Sequence, residues 1–242
     1  MKKNKGHILV TGGFGYIGYE LCKLLNKKKE SFFILDNLTN SKKKPEFAKI
    51  FIKSDIKNLH KIKRIIKKHN IDTVIHLAAK IYANESFLKK KLYIRNNYLY
   101  SKKLYDLCSD MQVTNFIFSS TAAVYGNRKI KFKENDIRMP INPYGFSKNK
   151  FENYMINKKY KINYAIIRFF NVVGRYQKNN YKKNLSALEK MKISFTKKKP
   201  IYKIFGRNHS TLDGSPARDF IHIVDLVNII YRSINFIKKE NK

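Results

Sequence analysis

The chain has 242 residues, of which 43% are hydrophobic and 14% aromatic, enough to build the core of one large domain and to exclude wholesale disorder. Its formal net charge is +35 at pH 7, but the lysines are spread along the whole chain. A charge distributed in this way makes weak, salt-sensitive contacts, so we expect no specific nucleic-acid partner, although a basic nucleic-acid-binding module stays open as an alternative function.

Cysteine usage and hydropathy point to a cytoplasmic protein. Cys22 and Cys108 lack metal or redox spacing, which predicts two reduced thiols and no metal site. No apolar run approaches the ~18 residues that a membrane span needs. The first predicted strand begins by His7, which leaves no room for a secretion signal.

Apolar strand-like runs alternate with helical patterns along the chain. Strands are predicted at 7–11, 32–36, 50–52, 73–78, 115–120 and 164–171, and helices at 16–29, 58–70, about 86–109 and 143–158. Short continuous apolar strands separated by helices indicate a parallel sheet covered on both faces, hence an α/β, doubly wound (Rossmann) fold. We assign residues 1–172 to this domain. Residues 173–242 are predicted to form a small, truncated C-terminal substrate lobe, with a strand at 201–205 and a helix at 223–239.

The first crossover carries a glycine-rich loop. Gly13, Gly15 and Gly18 satisfy G-x-G-x-x-G, and Gly12, Gly15 and Gly18 satisfy the related G-x-x-G-x-x-G spacing. Glycines there let a pyrophosphate approach the backbone and the helix N-terminus. Asp36 ends the second predicted strand, where a carboxylate binds ribose hydroxyls and repels a 2′-phosphate. The pattern therefore predicts NAD as the cofactor in preference to NADP.

The segment NPYGFSK, residues 142–148, predicts a helix start with Tyr144 and Lys148 on one face. A nearby ammonium favours phenolate, as a general base near neutral pH requires. The alternative is a surface tyrosine packed along a lysine stem, and the pair alone does not decide between them.

Taken in order, these segments resemble the extended short-chain dehydrogenase/reductases of the NAD-dependent epimerase/dehydratase family, most closely the UDP-glucose 4-epimerases and their sugar-nucleotide relatives. The segments that carry the resemblance are TGGFGYIG (11–18), LDNL (35–38), SDI (54–56), VIHLAA (74–79), ES (85–86), NN (96–97), FSSTAAVYG (118–126), NPYGFSK (142–148), RFFNVVG (168–174) and DGSPARDFIHIVDL (213–226).

The resemblance implies a role for each matching position. Tyr144 would be the catalytic base, with Lys148 and Thr121 as its catalytic partners. The implied cofactor-binding residues are Gly12, Gly13, Gly15, Tyr16, Ile17, Gly18, Asp36, Asn37, Asp55, Ile56, Leu77, Ala78, Ala79, Asn97, Tyr144, Lys148 and Phe170. The implied substrate-binding residues are Thr121, Asn171, Asn184, Leu185 and Arg218.

The implied activity is NAD-dependent 4-epimerisation of a UDP-hexose, UDP-glucose or UDP-galactose, through a transient 4-keto sugar. Ala122 and Ala123 follow Thr121 where the related dehydratases and decarboxylases carry carboxylates, so epimerisation is favoured over elimination. A 4-epimerase of another nucleotide sugar and a truncated non-catalytic NAD-binding remnant stay open.

Two further expectations follow from the resemblance. Ile81 stands where the family places a cofactor-contacting lysine, with Lys80 one residue early, so that contact is in doubt. A homodimer through 86–109 and 143–158 is also implied, and the lysines on both segments would weaken it by like-charge repulsion.

Overall fold

The computed structural model describes residues 6–39, 50–127, 131–174, 188, 191, 194–196, 201, 208, 211–215 and 217–239. Within these residues the chain forms a six-stranded sheet in which every neighbouring pair of strands is parallel. Its strands are β1 His7–Thr11, β2 Phe32–Asp36, β3 Phe51–Lys53, β4 Ile71–His76, β5 Asn115–Thr121 and β6 Asn163–Phe169.

The strand order is β3-β2-β1-β4-β5-β6. The chain runs outward from β1 in one direction to β3 and from β4 in the other direction to β6, so the order reverses between β1 and β4. In open α/β sheets, ligands bind outside the carboxyl ends of the strands at such a point. The predicted doubly wound parallel sheet is confirmed.

The helices with described bounds are α1 Tyr16–Lys27, α2 Leu59–Lys68, α3 Ala83–Leu88, α4 Lys90–Tyr93, α5 Ser101–Asp110, α6 Pro143–Asn157 and α7 Ile223–Lys239. A π-helical segment, Ile94–Tyr100, joins α4 to α5, and a 3₁₀ turn, Ala122–Val124, follows β5. The single helix predicted at about 86–109 is therefore wrong in two respects, because the helical region starts at Ala83 and is interrupted. The π-helical segment turns Asn97 inward, where its amide bonds to the backbone of Lys80.

The sheet separates two apolar clusters. On one face, helices α2, α5 and α6 contribute side chains such as Ile62, Leu104 and Phe151. On the other face, α1 and α7 pack together through residues such as Leu21 and Leu226. Burial of an amphipathic face on each side of a sheet is what stabilises this layered architecture.

The tail of the chain differs from expectation in its packing. Helix α7, whose extent was predicted, packs on the same face as α1 and so covers the main sheet. The predicted strand 164–171 is two strands, because Phe170 separates β6 from β7 Asn171–Val173, which pairs in parallel with β8 Phe220–His222. The strand predicted at 201–205 lies outside the described residues, and the domain boundary at 172/173 stays a prediction. No helix in the described segments combines the length and apolarity that crossing a membrane takes.

Candidate active site

The glycine loop lies between β1 and α1, against the loop that follows β4. Gly12 has φ +72°, and a Cβ atom there would come within 2.7 Å of the Ala78 backbone nitrogen. A Cβ at Gly18 would overlap the carbonyl oxygen of Gly12 and approach the Cα of Gly13 to 2.7 Å. These positions therefore require glycine for the turn and for close packing of α1 on the sheet.

Gly15 faces more open space. A Cβ there would meet only the Gly12 carbonyl, at 3.2 Å. Gly15 is also the N-cap of α1, and no side chain caps that end of the helix. A helix N-terminus with an open approach suits a diphosphate, because its backbone amides and dipole favour negative charge. The cradle fits the pyrophosphate of a dinucleotide.

Asp36 ties the end of β2 to the glycine loop. Its carboxylate accepts hydrogen bonds from the backbone N–H of Phe14 at 3.0 Å and of Leu38 at 2.7 Å. Burial raises the pKa of this carboxyl, and the two backbone hydrogen bonds partly oppose the rise. A carboxylate can accept about four hydrogen bonds, so acceptor capacity is left for ribose hydroxyls.

The remaining cofactor positions fall into two groups. Leu77, Ala78 and Ala79 follow β4, and the backbone of Leu77 and Ala78 lies against Gly12, while their contact with a cofactor stays a prediction. Asn37 and Asp55 are joined by a 2.9 Å hydrogen bond at the ends of β2 and β3.

Other cofactor positions already have protein partners. The Asn97 amide bonds to the backbone of Lys80, and the Tyr16 hydroxyl donates to the Gly174 carbonyl at 3.2 Å. Ile56 is 4% exposed and belongs to the core. Direct contacts of these side chains, of Ile17 and of the half-exposed Phe170 with a cofactor stay predictions.

Tyr144 is the second residue of α6, and its hydroxyl hydrogen-bonds to the side chain of Thr121 at the end of β5. The Asn142 side chain caps this helix by accepting from the Gly145 N–H at 2.7 Å. A Cβ at Gly145 would come within 2.5 Å of the Ala123 carbonyl. The helix start can therefore approach β5 closely enough for Tyr144 to reach Thr121.

Lys148 lies one turn further along α6 and is only 3% exposed. Its Nζ donates a 2.6 Å hydrogen bond to the Ser119 carbonyl and lies 4.6 Å from the centre of the Phe118 ring. Burial lowers the pKa of Lys148 to about 7, and the negative charge of Glu152 opposes that change.

The surroundings of Tyr144 shift the pKa of its phenol in opposite directions. Burial raises the pKa of Tyr144, and the hydrogen bond with Thr121 partly lowers it. The role of Lys148 in favouring the phenolate stays a prediction.

On the substrate side, the β7–β8 pair brings Asn171 next to the Ala217–Asp219 segment. The Asn171 backbone N–H and side-chain amide both donate to the Asp219 carbonyl, at 3.2 and 3.1 Å. Arg218 is exposed and donates to the Ala217 carbonyl at 2.9 Å, with no ion pair to Asp219 within the described residues. The predicted contacts at Asn184 and Leu185 lie outside the described residues.

One histidine, His76, lies in the core beside the candidate site. His76 is buried, with its ring nitrogens bonded to the hydroxyls of Thr11 at 2.7 Å and Ser101 at 2.8 Å. Burial and the Lys148 charge lower its pKa to about 3, so it is a neutral structural residue. The described part of the chain holds no cluster of side chains suited to a metal ion.

One buried ionic network was missed from the sequence. Glu152, fully buried on α6, receives hydrogen bonds from Ser120 and from the guanidinium groups of Arg138 and Arg168. The available signal was its position four residues beyond Lys148, which places the two on one face of α6.

The parallel sheet is doubly wound, and the glycine loop lies where its strand order reverses. The Tyr-x-x-x-Lys pair contacts the end of β5. Together these features define a dinucleotide-dependent enzyme of the short-chain dehydrogenase type. The chain belongs to the NAD dependent epimerase/dehydratase family, whose model matches residues 8–242. This membership confirms the resemblance found in the sequence and confirms NAD as the cofactor.

Individual relatives agree with this assignment. The chain is 32% identical to the UDP-glucose 4-epimerase of Halalkalibacterium halodurans over 243 residues, which cover 97% of this chain and 72% of that protein. The crystal structure of a Stenotrophomonas maltophila UDP-glucose-4-epimerase with bound NAD and formylated UDP-arabinopyranose superposes with a TM-score of 0.89 at 26% identity, over 98% of this chain and 76% of that chain. An NAD-dependent NDP-hexosamine 5,6-dehydratase, TunA, matches with a TM-score of 0.80 at 25% identity, over 96% and 72% of the two chains. The protein is thus an enzyme of the kind represented by the UDP-sugar epimerases.

Proposed function

We propose that this enzyme interconverts UDP-glucose and UDP-galactose by NAD-dependent 4-epimerisation through a transient 4-keto sugar. The observation that carries the proposal is the hydrogen bond between Tyr144 and Thr121 at the carboxyl end of β5. That strand neighbours β4, whose following loop touches the glycine cradle. The base and the cofactor site therefore share one edge of the sheet.

In the proposed reaction, Tyr144 as phenolate removes the proton of the sugar 4-hydroxyl, and Thr121 donates a hydrogen bond to the same oxygen. NAD, held by the glycine loop and Asp36, would supply a reversible hydride acceptor for C4 of the sugar. Because burial raises the pKa of Tyr144, the phenolate needs positive charge nearby, which Lys148 would supply from one turn further along α6. Arg218, exposed beside the β7–β8 pair, would bind the diphosphate of the substrate, for which a planar cation is suited.

The residues after Thr121 argue for epimerisation over elimination, despite the likeness to a dehydratase. Elimination of water needs an acid and a base near the neighbouring carbons. The 3₁₀ turn that follows β5 supplies the apolar Ala122 and Ala123 instead. Nothing in this turn can remove or donate a proton.

The test is an assay of the purified chain, with NAD added, for conversion of UDP-galactose to UDP-glucose. Nucleotide released by denaturation is analysed in parallel for NAD. Interconversion supports the proposal, whereas NAD retention without any conversion would identify a non-catalytic NAD-binding protein.

A second candidate is 4-epimerisation of another nucleotide sugar. The S. maltophila epimerase structure, which superposes with a TM-score of 0.89, holds a formylated UDP-arabinopyranose. An assay with UDP-pentoses, UDP-uronates and UDP-N-acetylhexosamines beside UDP-galactose distinguishes the two candidates by relative kcat/KM.

A further inference from the structure

Glu152 is a buried charge that the proposed chemistry does not use. Its side chain has no exposed surface, yet it binds Arg138 Nη1 at 2.7 Å and Arg168 Nη2 at 2.8 Å, with the Ser120 hydroxyl as a third donor. Burying a carboxylate is costly unless it is paired and hydrogen-bonded. These bonds join Glu152 of α6 to Ser120 of β5, to Arg168 of β6 and to Arg138 of the segment before α6. The network therefore connects four parts of the chain.

The network lies in register with the catalytic residues. Three consecutive β5 residues each form a hydrogen bond with one α6 residue: Ser119 with Lys148, Ser120 with Glu152, and Thr121 with Tyr144. The three α6 residues are spaced four apart. Residues spaced by four share one face of a helix. A shift of α6 along β5 would therefore move all three pairs together.

We propose that Glu152 is a positioning residue, which fixes α6 on β5 through its two arginines and supplies the negative charge that keeps Lys148 an ammonium ion beside Tyr144. The inference depends on the proposed function only for its activity measurement. Glu152 touches neither the predicted sugar site nor the glycine cradle, and it acts through its neighbours on α6.

The charges around Lys148 determine whether a substitution at Glu152 raises or lowers the pKa of Lys148. From its own helix it faces Glu152, from β5 the Ser119 carbonyl and the Phe118 ring, and from β4 the neutral His76. The positive charges behind Glu152 come from β6 and from the segment before α6, through Arg168 and Arg138. Glu152 raises the pKa of Lys148 against the lowering caused by burial.

Two substitutions should move the pH profile in opposite directions. In Glu152→Gln the negative charge is lost and the arginines are left uncompensated, so the pKa of Lys148 falls. The alkaline limb of kcat against pH should move to lower pH by roughly half a unit or more. In Arg138→Met a positive charge is lost, and the limb should move to higher pH. Arg138 is the arginine chosen because its side chain is 21% exposed and borders an open cavity of about 480 Å³, so its loss need not unfold the chain.

A second measurement needs no enzymatic activity. Amine-selective acetylation at a series of pH values, read by mass spectrometry of the peptide that contains Lys148, gives the pH at which this amine becomes reactive. The midpoint should fall in Glu152→Gln and rise in Arg138→Met. If the wild-type chain lacks epimerase activity, the proposed function fails while the acetylation midpoints still test the role of Glu152.

Asp106→Asn is the matched control. It removes a carboxylate that accepts hydrogen bonds from Tyr154 of α6 and from Tyr160, and within the described part of the chain it makes no hydrogen bond or ion pair with Lys148 or Glu152. It should leave both the pH profile and the acetylation midpoint unchanged, and Glu152→Asp should restore part of the wild-type profile. If Glu152→Gln and Arg138→Met shift neither measurement, or shift both the same way, the inference is wrong.

Discussion

The Nζ of Lys148 donates a 2.6 Å hydrogen bond to the carbonyl of Ser119 from a position where only 3% of the residue is exposed. One backbone carbonyl does not replace the water shell of an ammonium ion, which is why burial lowers the pKa of Lys148 to about 7. The placement that suits this residue to the active site therefore carries a cost in stability.

That cost predicts the behaviour of Lys148→Met. Between about pH 7 and the usual lysine pKa of ~10.4, the unfolded chain binds more protons at this residue than the folded chain. Burial of the ammonium should therefore lower the free energy of unfolding by its full amount below pH 7. The free energy of unfolding should rise as the pH increases above 7. Met fills a similar volume without the charge, so the variant should be more stable than wild type at pH 6.5 by on the order of 1–4 kcal/mol.

Urea denaturation at pH 6.5 and pH 9 measures this difference, which should shrink at the higher pH. The same variant should lose epimerase activity. A variant less stable than wild type at pH 6.5 would show that Lys148 contributes more through its hydrogen bond than it costs through burial.

Tyr144→Phe tests the base. Removal of the hydroxyl that hydrogen-bonds to Thr121 should lower kcat by about 10²–10⁴-fold, the usual contribution of general acid–base catalysis, with NAD still retained. The measurement is steady-state kinetics with UDP-galactose, together with NAD analysis of the denatured variant. A kcat within a few-fold of wild type would exclude Tyr144 as the base.

Tyr105→Phe is the matched control for that substitution. Tyr105 is fully buried against the Phe116 ring, and its hydroxyl has no hydrogen-bond partner among the described residues. Removing a buried, unsatisfied hydroxyl should leave activity unchanged and raise the free energy of unfolding by about 1 kcal/mol. Denaturant unfolding of this variant provides the comparison.

The glycine loop predicts two different phenotypes for one type of substitution. Gly18→Ala would push its Cβ into the Gly12 carbonyl, so the loop must shift and the variant should lose several kcal/mol of stability, on the order of 2–4. Gly15→Ala meets only that same carbonyl, at 3.2 Å, on the side where the diphosphate is expected. It should fold with a Tm within a few degrees of wild type but should retain NAD much more weakly. Thermal unfolding with NAD analysis separates the two, and equal Tm losses would contradict the assignment of Gly15 to the cofactor side.

Much of the fold was predictable because the signals were local. The run Phe32–Asp36 is apolar and ends at a carboxylate, and β2 has those bounds. Helix α6 begins at Pro143 behind its Asn142 cap, as the local pattern predicted. The break at 94–100 was not predictable, because a π-helical segment depends on what Asn97 finds when it turns inward, here the backbone of Lys80.

The candidate site likewise has a part that the sequence predicts and a part that it does not. The glycine positions and the Tyr144–Lys148 pair have fixed spacing in the sequence. The Glu152 network does not, since Arg138 comes from the segment before α6 and Arg168 from β6. The packing of α7 against α1 is also a property of the tertiary fold, because an amphipathic helix does not specify which apolar surface it covers.

Asp36 predicts the choice between NAD and NADP. Its carboxylate is held in place by the backbone N–H groups of Phe14 and Leu38, at the end of β2 where the adenosine ribose is expected. A fixed negative charge there repels a 2′-phosphate, so wild type should bind NAD at least ~10-fold more tightly than NADP. Asp36→Asn keeps a carbonyl oxygen that can accept from the backbone but loses the charge, so the ratio of the two Kd values should fall towards one. Titration of nucleotide-free protein with both cofactors measures that ratio, with Asp106→Asn as the control, because the Asp106 carboxylate binds Tyr154 and Tyr160 and is not among the predicted cofactor residues. An unchanged ratio in Asp36→Asn would mean that another group excludes the 2′-phosphate.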